Sequence, residues 1–163
     1  MEENISLIKH QQISKKFKID YNNIRELFYE KVKDGPDDIF LISPGENTVE
    51  FTYAKLKLLI KNTYNIFRSL ELKSKDRVSL IFHNSPEFVA LYFSALCFGL
   101  TAVPINPDIA SKEMRYIIND SKSKAIFYSN VLESKIKNIK NLDDVKLKKI
   151  TSINDQEFSL KND

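Results

Sequence analysis

A chain of 163 residues, 42% hydrophobic and 29% charged, is long enough for one domain with a core and too apolar to stay disordered. Its net charge of +3 is carried mostly by lysines mixed with acids along the whole length, without the clustered Arg and aromatic residues of a nucleic-acid interface, so no nucleic-acid partner is expected. The single cysteine, Cys97, excludes an internal disulfide and a cysteine-based zinc cluster, and its apolar helical surroundings predict a buried, inert thiol.

Residues 1–20 are polar and mixed, with no period beyond Ile5 and Leu7–Ile8, and are expected to form a loosely attached arm. Met1 to Lys18 carries no apolar run of the signal-peptide kind, which makes a cytoplasmic location the expectation. Asn22–Lys33 places Ile24, Leu27, Phe28 and Val32 at helical spacing, and Asp34-Gly35-Pro36 stops the helix. Ile39–Ile42 and Thr48–Phe51 read as two strands joined by the turn Ser43-Pro44-Gly45-Glu46-Asn47. Thr52 then caps a helix whose inner face is Leu56, Leu59, Ile60, Thr63, Phe67 and Leu70, with Lys57, Lys61, Asn65 and Arg68 turned to water.

From Arg77 the pattern alternates regularly. Arg77–Phe82 is a strand. Ser85 caps a helix over Pro86–Phe98, with Pro86 at its first position and Glu87 in its first turn. That helix is apolar nearly all round, which predicts burial on several sides, and Gly99 ends it. Thr101–Ile105 is a strand, Ser111–Asp120 a helix with Met114, Ile117 and Ile118 inward, and Lys124–Tyr128 a strand. Val131–Lys140 reads as a further helix and Val145–Ile150 as a fourth strand, with a polar tail over 153–163. The stretch Phe88–Ile105 is uncharged, but Gly99, Pro104 and its β-branched end, flanked by acidic Glu87 and Asp108, predict a buried helix and strand rather than a membrane span. The alternation predicts an α/β fold over 21–152: a parallel β-sheet of βαβ units with flanking helices, preceded by a short hairpin.

Parallel sheets bind ligands beyond the carboxyl ends of their strands. That edge carries His83-Asn84, Asn106-Pro107 and Ser129-Asn130. His83 and Asn84 are therefore candidate substrate-pocket residues, beside the plainer reading of a turn that caps the following helix. Gly35, Gly45 and Gly99 are too scattered to build a phosphate-cradling loop. His10 and His83 have no second ligand at metal spacing, and no G-x-S-x-G nucleophile motif occurs. Asp37-Asp38 and Asp143-Asp144 read as turn or cap residues and Lys148-Lys149 as a solvated strand end. These residues supply no catalytic, cofactor-binding or metal-ligating set.

The stretch from Phe51 to Ser129 resembles the start of the acyl-adenylate-forming AMP-binding family, which holds acyl-CoA synthetases, peptide-synthetase adenylation domains and luciferases. The resemblance rests on six pieces in order: Phe51-Thr52-Tyr53-Ala54-Lys55-Leu56, Lys75-Asp76-Arg77-Val78, Asn84-Ser85-Pro86-Glu87-Phe88, Ala95-Leu96-Cys97-Phe98-Gly99, Ala102-Val103-Pro104-Ile105-Asn106-Pro107 and Met114–Ser121. Lys55 stands where the family usually has an acid, and Cys97-Phe98 where it has Lys-Ala, which marks a diverged member. The resemblance implies a partial N-terminal subdomain of an acid–thiol ligase that uses ATP, Mg and CoA or a carrier-protein phosphopantetheine. It also implies that the family's phosphate loop, magnesium-binding Glu and catalytic Lys lie after this region. No cofactor is then expected on these residues, and the expected partner is the remainder of the parent enzyme or a separate chain that carries it. Two other readings stand beside this one: a degenerate stand-alone domain serving as an interaction or regulatory module, and an unrelated small α/β binding protein. The acyl substrate and the choice of acceptor thiol stay open.

Overall fold

Backbone capping sets the first helix. In the computed structural model, which describes residues 20–45, 48–139, 142, 145–153 and 158–161, with side chains up to residue 147, α1 spans Ile24–Asp34. The Asn23 side chain accepts the Glu26 N–H at 3.0 Å, and the Glu26 carboxylate reaches back to the Asn22 N–H at 2.9 Å, so orphan donors of the first turn are satisfied from both directions. The expected arm at residues 1–19, including His10, lies outside the described residues, as does the pair Asp143-Asp144.

β1 (Ile39–Ser43) and β2 (Val49–Thr52) form an antiparallel hairpin with a register shift between Ile39 and Leu41. Thr52 ends β2 and caps α2 (Tyr53–Ser69), its hydroxyl accepting the Lys55 N–H at 3.3 Å. Leu56, Leu59, Ile60, Thr63, Phe67 and Leu70 are all buried, and Lys57, Lys61, Asn65 and Arg68 are all exposed, as the helical period requires.

The second sheet contains β3 (Arg77–Ile81), β4 (Thr101–Ile105), β5 (Ala125–Ser129), β6 (Lys146–Ile153) and β7 (Phe158–Lys161), in the order β4-β3-β5-β6-β7. The first four are mutually parallel, and β7 runs antiparallel to β6. Helices α3 (Pro86–Phe98) and α4 (Ser111–Ser121) make the crossovers to β4 and β5. A 3₁₀ turn at Asn130–Leu132 and the short α5 (Glu133–Lys137) lead on toward β6.

Side-chain alternation in the strands divides the core in two. Val78, Leu80, Ala125 and Phe127 join α1, α2 and α3 on one face of the sheet. Ile81, Ile105, Ile126 and Tyr128 pack with Met114 and Ile118 of α4 and Leu132 and Ile136 on the other. None of the thirteen residues of α3 is exposed, because the helix packs against α1 and α2 as well as against β3 and β4 of the sheet. At 1.5 Å per residue it is about 20 Å long, short of the ~30 Å apolar thickness of a bilayer. Among the described residues no helix is long and apolar enough to cross a membrane. Gly99 ends α3 in the left-handed region at φ 87°, and a Cβ there would stand 2.9 Å from Ser74 Oγ.

Two expectations change. The helix expected over Val131–Lys140 is a 3₁₀ turn followed by five α-helical residues that stop before Asn138. The tail expected over 153–163 contains β7, since Phe158-Ser159-Leu160-Lys161 has strand periodicity and β6 offers a backbone edge for it to pair with.

Candidate functional site

The parallel register puts Ile81 beside Ile105, so the segments that leave β3 and β4 emerge together at the carboxyl edge of the sheet. On the β3 side, Ser85 Oγ accepts the Phe88 N–H at 3.3 Å, which starts α3 and fixes the turn carrying His83 and Asn84. On the β4 side, Asn106 Oδ1 accepts the Asp108 N–H at 2.9 Å in a local turn of the kind asparagine favours. Lys135 of α5 donates to the Pro107 carbonyl at 2.6 Å and ties this loop to the layer below.

The two loops meet where His83 Nε2 stands 3.2 Å from Asp108 Oδ1. The pair is open to water, with side chains 54% and 76% exposed, so it orients the loops more than it stabilises them. Around it lies a cleft of about 370 Å³ walled by Phe82, Phe88, Pro104 and Ile105, with His83, Asn84, Asn106 and Asp108 as its polar groups. A neighbouring cleft of about 260 Å³ continues past His83 to Ser85, Glu87, Ser129 and Asn130 at the end of β5. All three residue pairs expected at the sheet edge therefore line these clefts. Asp108 was not singled out for the site; the Asn106-x-Asp108 turn signal was present, but its partner lies 25 residues away in sequence.

The chemistry available here is polar recognition. Among the described residues neither cleft is lined by Lys or Arg, and the Lys135 ammonium nearby is engaged by the Pro107 carbonyl, so these residues do not fit the ATP phosphates. Ser85 is committed to its cap. Cys97 is buried in α3, and burial pushes its thiol up to about 11 against the opposing charge of Arg25, which leaves it protonated and unreactive at neutral pH. Among the described residues no group of three or more His, Cys, Asp or Glu could hold a metal ion.

Comparison with known proteins extends beyond the stretch that carries the sequence resemblance. The AMP-binding enzyme family matches residues 28–163, from α1 through the whole cleft. A long-chain-fatty-acid–CoA ligase, FadD13 of Mycobacterium tuberculosis, is 38% identical over 80 residues, covering 49% of this chain and 16% of the relative. A crotonobetaine/carnitine–CoA ligase of Salmonella paratyphi A is 37% identical over 73 residues, covering 45% of this chain and 14% of the relative. In three dimensions the N-terminal domain of FACL13 from Mycobacterium tuberculosis superposes with a TM-score of 0.71 at 29% identity, over 78% of this chain and 33% of that one. The chain thus spans about a sixth of the length of the curated relatives it matches.

Proposed function

Because the chain belongs to the AMP-binding enzyme family, we propose that it is the N-terminal part of an ATP-dependent acid–thiol ligase. In the proposed reaction a substrate carboxylate attacks the α-phosphorus of ATP, with magnesium present, and expels pyrophosphate to leave an acyl-adenylate. A thiol, of CoA or of a carrier-protein pantetheine, then attacks the acyl carbon and releases AMP. The match across residues 28–163 carries this reading, and the identity with a fatty-acid–CoA ligase supports it.

These residues have a scaffolding part in that reaction. Charge neutralisation and alignment dominate phosphoryl transfer, and among the described residues no Lys or Arg lines the sheet-edge clefts to supply it. The groups that hold the phosphates and magnesium are assigned to polypeptide encoded beyond residue 163. His83 and Asn84 are assigned to one wall of the substrate pocket, where Phe82 and Phe88 provide the apolar surface. The 163 residues by themselves are accordingly inactive. Exposed apolar residues on the hairpin, Ile39, Ile42 and Val49, favour a piece that is completed by more polypeptide over a closed stand-alone module.

The coding sequence tests this. An in-frame Ser/Thr/Gly-rich loop that ends in Pro-Lys downstream of residue 163 supports the ligase. Unrelated sequence in that place removes it.

A further inference from the structure

The five-stranded sheet has helices on both faces, but the hairpin is left half covered. Among the described residues β1 and β2 pair only with each other. A two-stranded ribbon is marginal alone in water and gains stability from a third strand or a covering layer. One side of this ribbon packs inward: Phe51 is buried, and Phe40 sets its ring against Phe93 of α3 at 5.0 Å between centroids. The rest is open, with Ile39, Ile42 and Val49 exposed by 50%, 53% and 42%.

Of these exposed apolar residues, Ile39 and Ile42 lie on β1 and Val49 on β2. The sequence of β1, Ile39-Phe40-Leu41-Ile42-Ser43, carries no charge and no proline, the usual guards of a free strand edge. Leu41, Ile42, Ser43 and Pro44 also form one wall of a groove of about 280 Å³. Its other wall is the first turn of α3, with Pro86, Phe88 and Val89, and no residue of β2 reaches it. A groove lined, among the described residues, by no ionisable side chain, beside an unguarded strand, suits an extended, uncharged, apolar segment added by strand pairing.

We propose that the outer edge of β1 and this groove receive an extended segment of the same enzyme, encoded beyond residue 163. The proposal rests on the reading of the chain as the N-terminal part of a longer ligase. The chain spans a third of a homologous N-terminal domain, which leaves ample further polypeptide of the same domain to fill the place.

Backbone amide exchange, followed by mass spectrometry on peptides covering Ile39–Ser43, tests it in two proteins: the 163-residue chain and the product of the complete reading frame. The expected result is exchange slower by about tenfold or more in the complete product. Ile42→Lys, at a half-exposed position, is expected to leave the unfolding midpoint of the 163-residue chain in place and to abolish the added protection in the complete product. Equal exchange in the two proteins overturns the proposal, as does a reading frame that stops at residue 163. Protection that grows with the concentration of the 163-residue chain alone also overturns it, because a second copy is then the occupant. Protection without acyl-adenylate formation would sink the ligase reading and leave the docking site, and adenylate formation with an unprotected hairpin would do the reverse.

Discussion

The Nε–H of Arg25 donates to the carbonyl oxygen of Cys97 at 2.5 Å, joining α1 to the last turn of α3 across 72 residues of sequence. That turn of α3 contains no basic residue of its own, so a guanidinium from another helix supplies the cation its carbonyl end favours. The same side chain bonds the Tyr64 hydroxyl at 3.1 Å and lies 5.7 Å from the centre of its ring, which brings α2 into the contact. Arg25→Ala should cost about 1–2 kcal/mol of unfolding free energy in urea titrations. Arg25→Lys should recover little of it, since an ammonium cannot present two donors in the guanidinium geometry. Full recovery by lysine would show that charge alone matters here.

Gly99 has a positive φ. Gly99→Ala should destabilise by about 1–2 kcal/mol, from the left-handed backbone and from the Cβ set against Ser74 Oγ. Unchanged stability in the same titration would mean that the α3–β4 turn relaxes at no cost.

Phe127 of β5 is fully buried, with its ring 5.6 Å from that of Phe67 on α2. It lies under the helical layer on the central part of the sheet, where collapse into the space is hindered on several sides. Phe127→Ala should cost about 3–5 kcal/mol, enough to abolish the cooperative unfolding transition of a marginal domain. A loss under ~1 kcal/mol would contradict the packing described.

Asp76 contributes to the acid limb of stability. Burial pushes its carboxyl up, but the Lys124 ammonium at 2.8 Å and the Lys73 N–H at 2.8 Å hold it below the ordinary carboxylate value of 3.8. A carboxyl depressed in the folded state gives stability that is fully present above its unfolded value and is lost as pH falls through the folded one. Stability measured against pH should therefore be flat in this respect above about pH 5 and decline below about pH 4. Asp76→Asn should lower the neutral plateau and flatten that decline. An unaltered acid slope in the variant would assign the effect to other carboxylates.

His83 is exposed, and its removal should change the stability of the chain by no more than about 0.5 kcal/mol. If the complete product is the proposed ligase, His83→Ala should raise its KM for the acid substrate more than it lowers kcat, as expected of a group that binds without reacting. Steady-state kinetics with an unchanged kcat/KM would return His83 to the role of a loop residue.

What could be read from the sequence was local. Thr52 and Ser85 are helix caps in the structure because a cap depends on residues within one turn. The apolar girth of α3 announced its burial for a similar reason: the side chains of one helix determine it. The site was legible in part. His83 and Asn84 could be placed at a strand end from strand–helix alternation, but their meeting with Asp108 depends on β3 and β4 being parallel neighbours in a fixed register. The tie from Lys135 to the Pro107 carbonyl depends on how α5 folds back, which no local pattern encodes. β7 was missed because a four-residue strand in polar surroundings forms only when another edge receives it.

In the proposed reading these residues are the scaffold of an acyl-adenylating enzyme whose reacting groups lie elsewhere. ATP–pyrophosphate exchange tests it most directly, run in parallel on the 163-residue chain and on the product of the complete reading frame with panels of fatty, aryl and amino acids. The expected result is acid-dependent exchange by the complete product and none by the 163-residue chain. Exchange by the 163-residue chain, or none by the complete product with any of the acids, would contradict it.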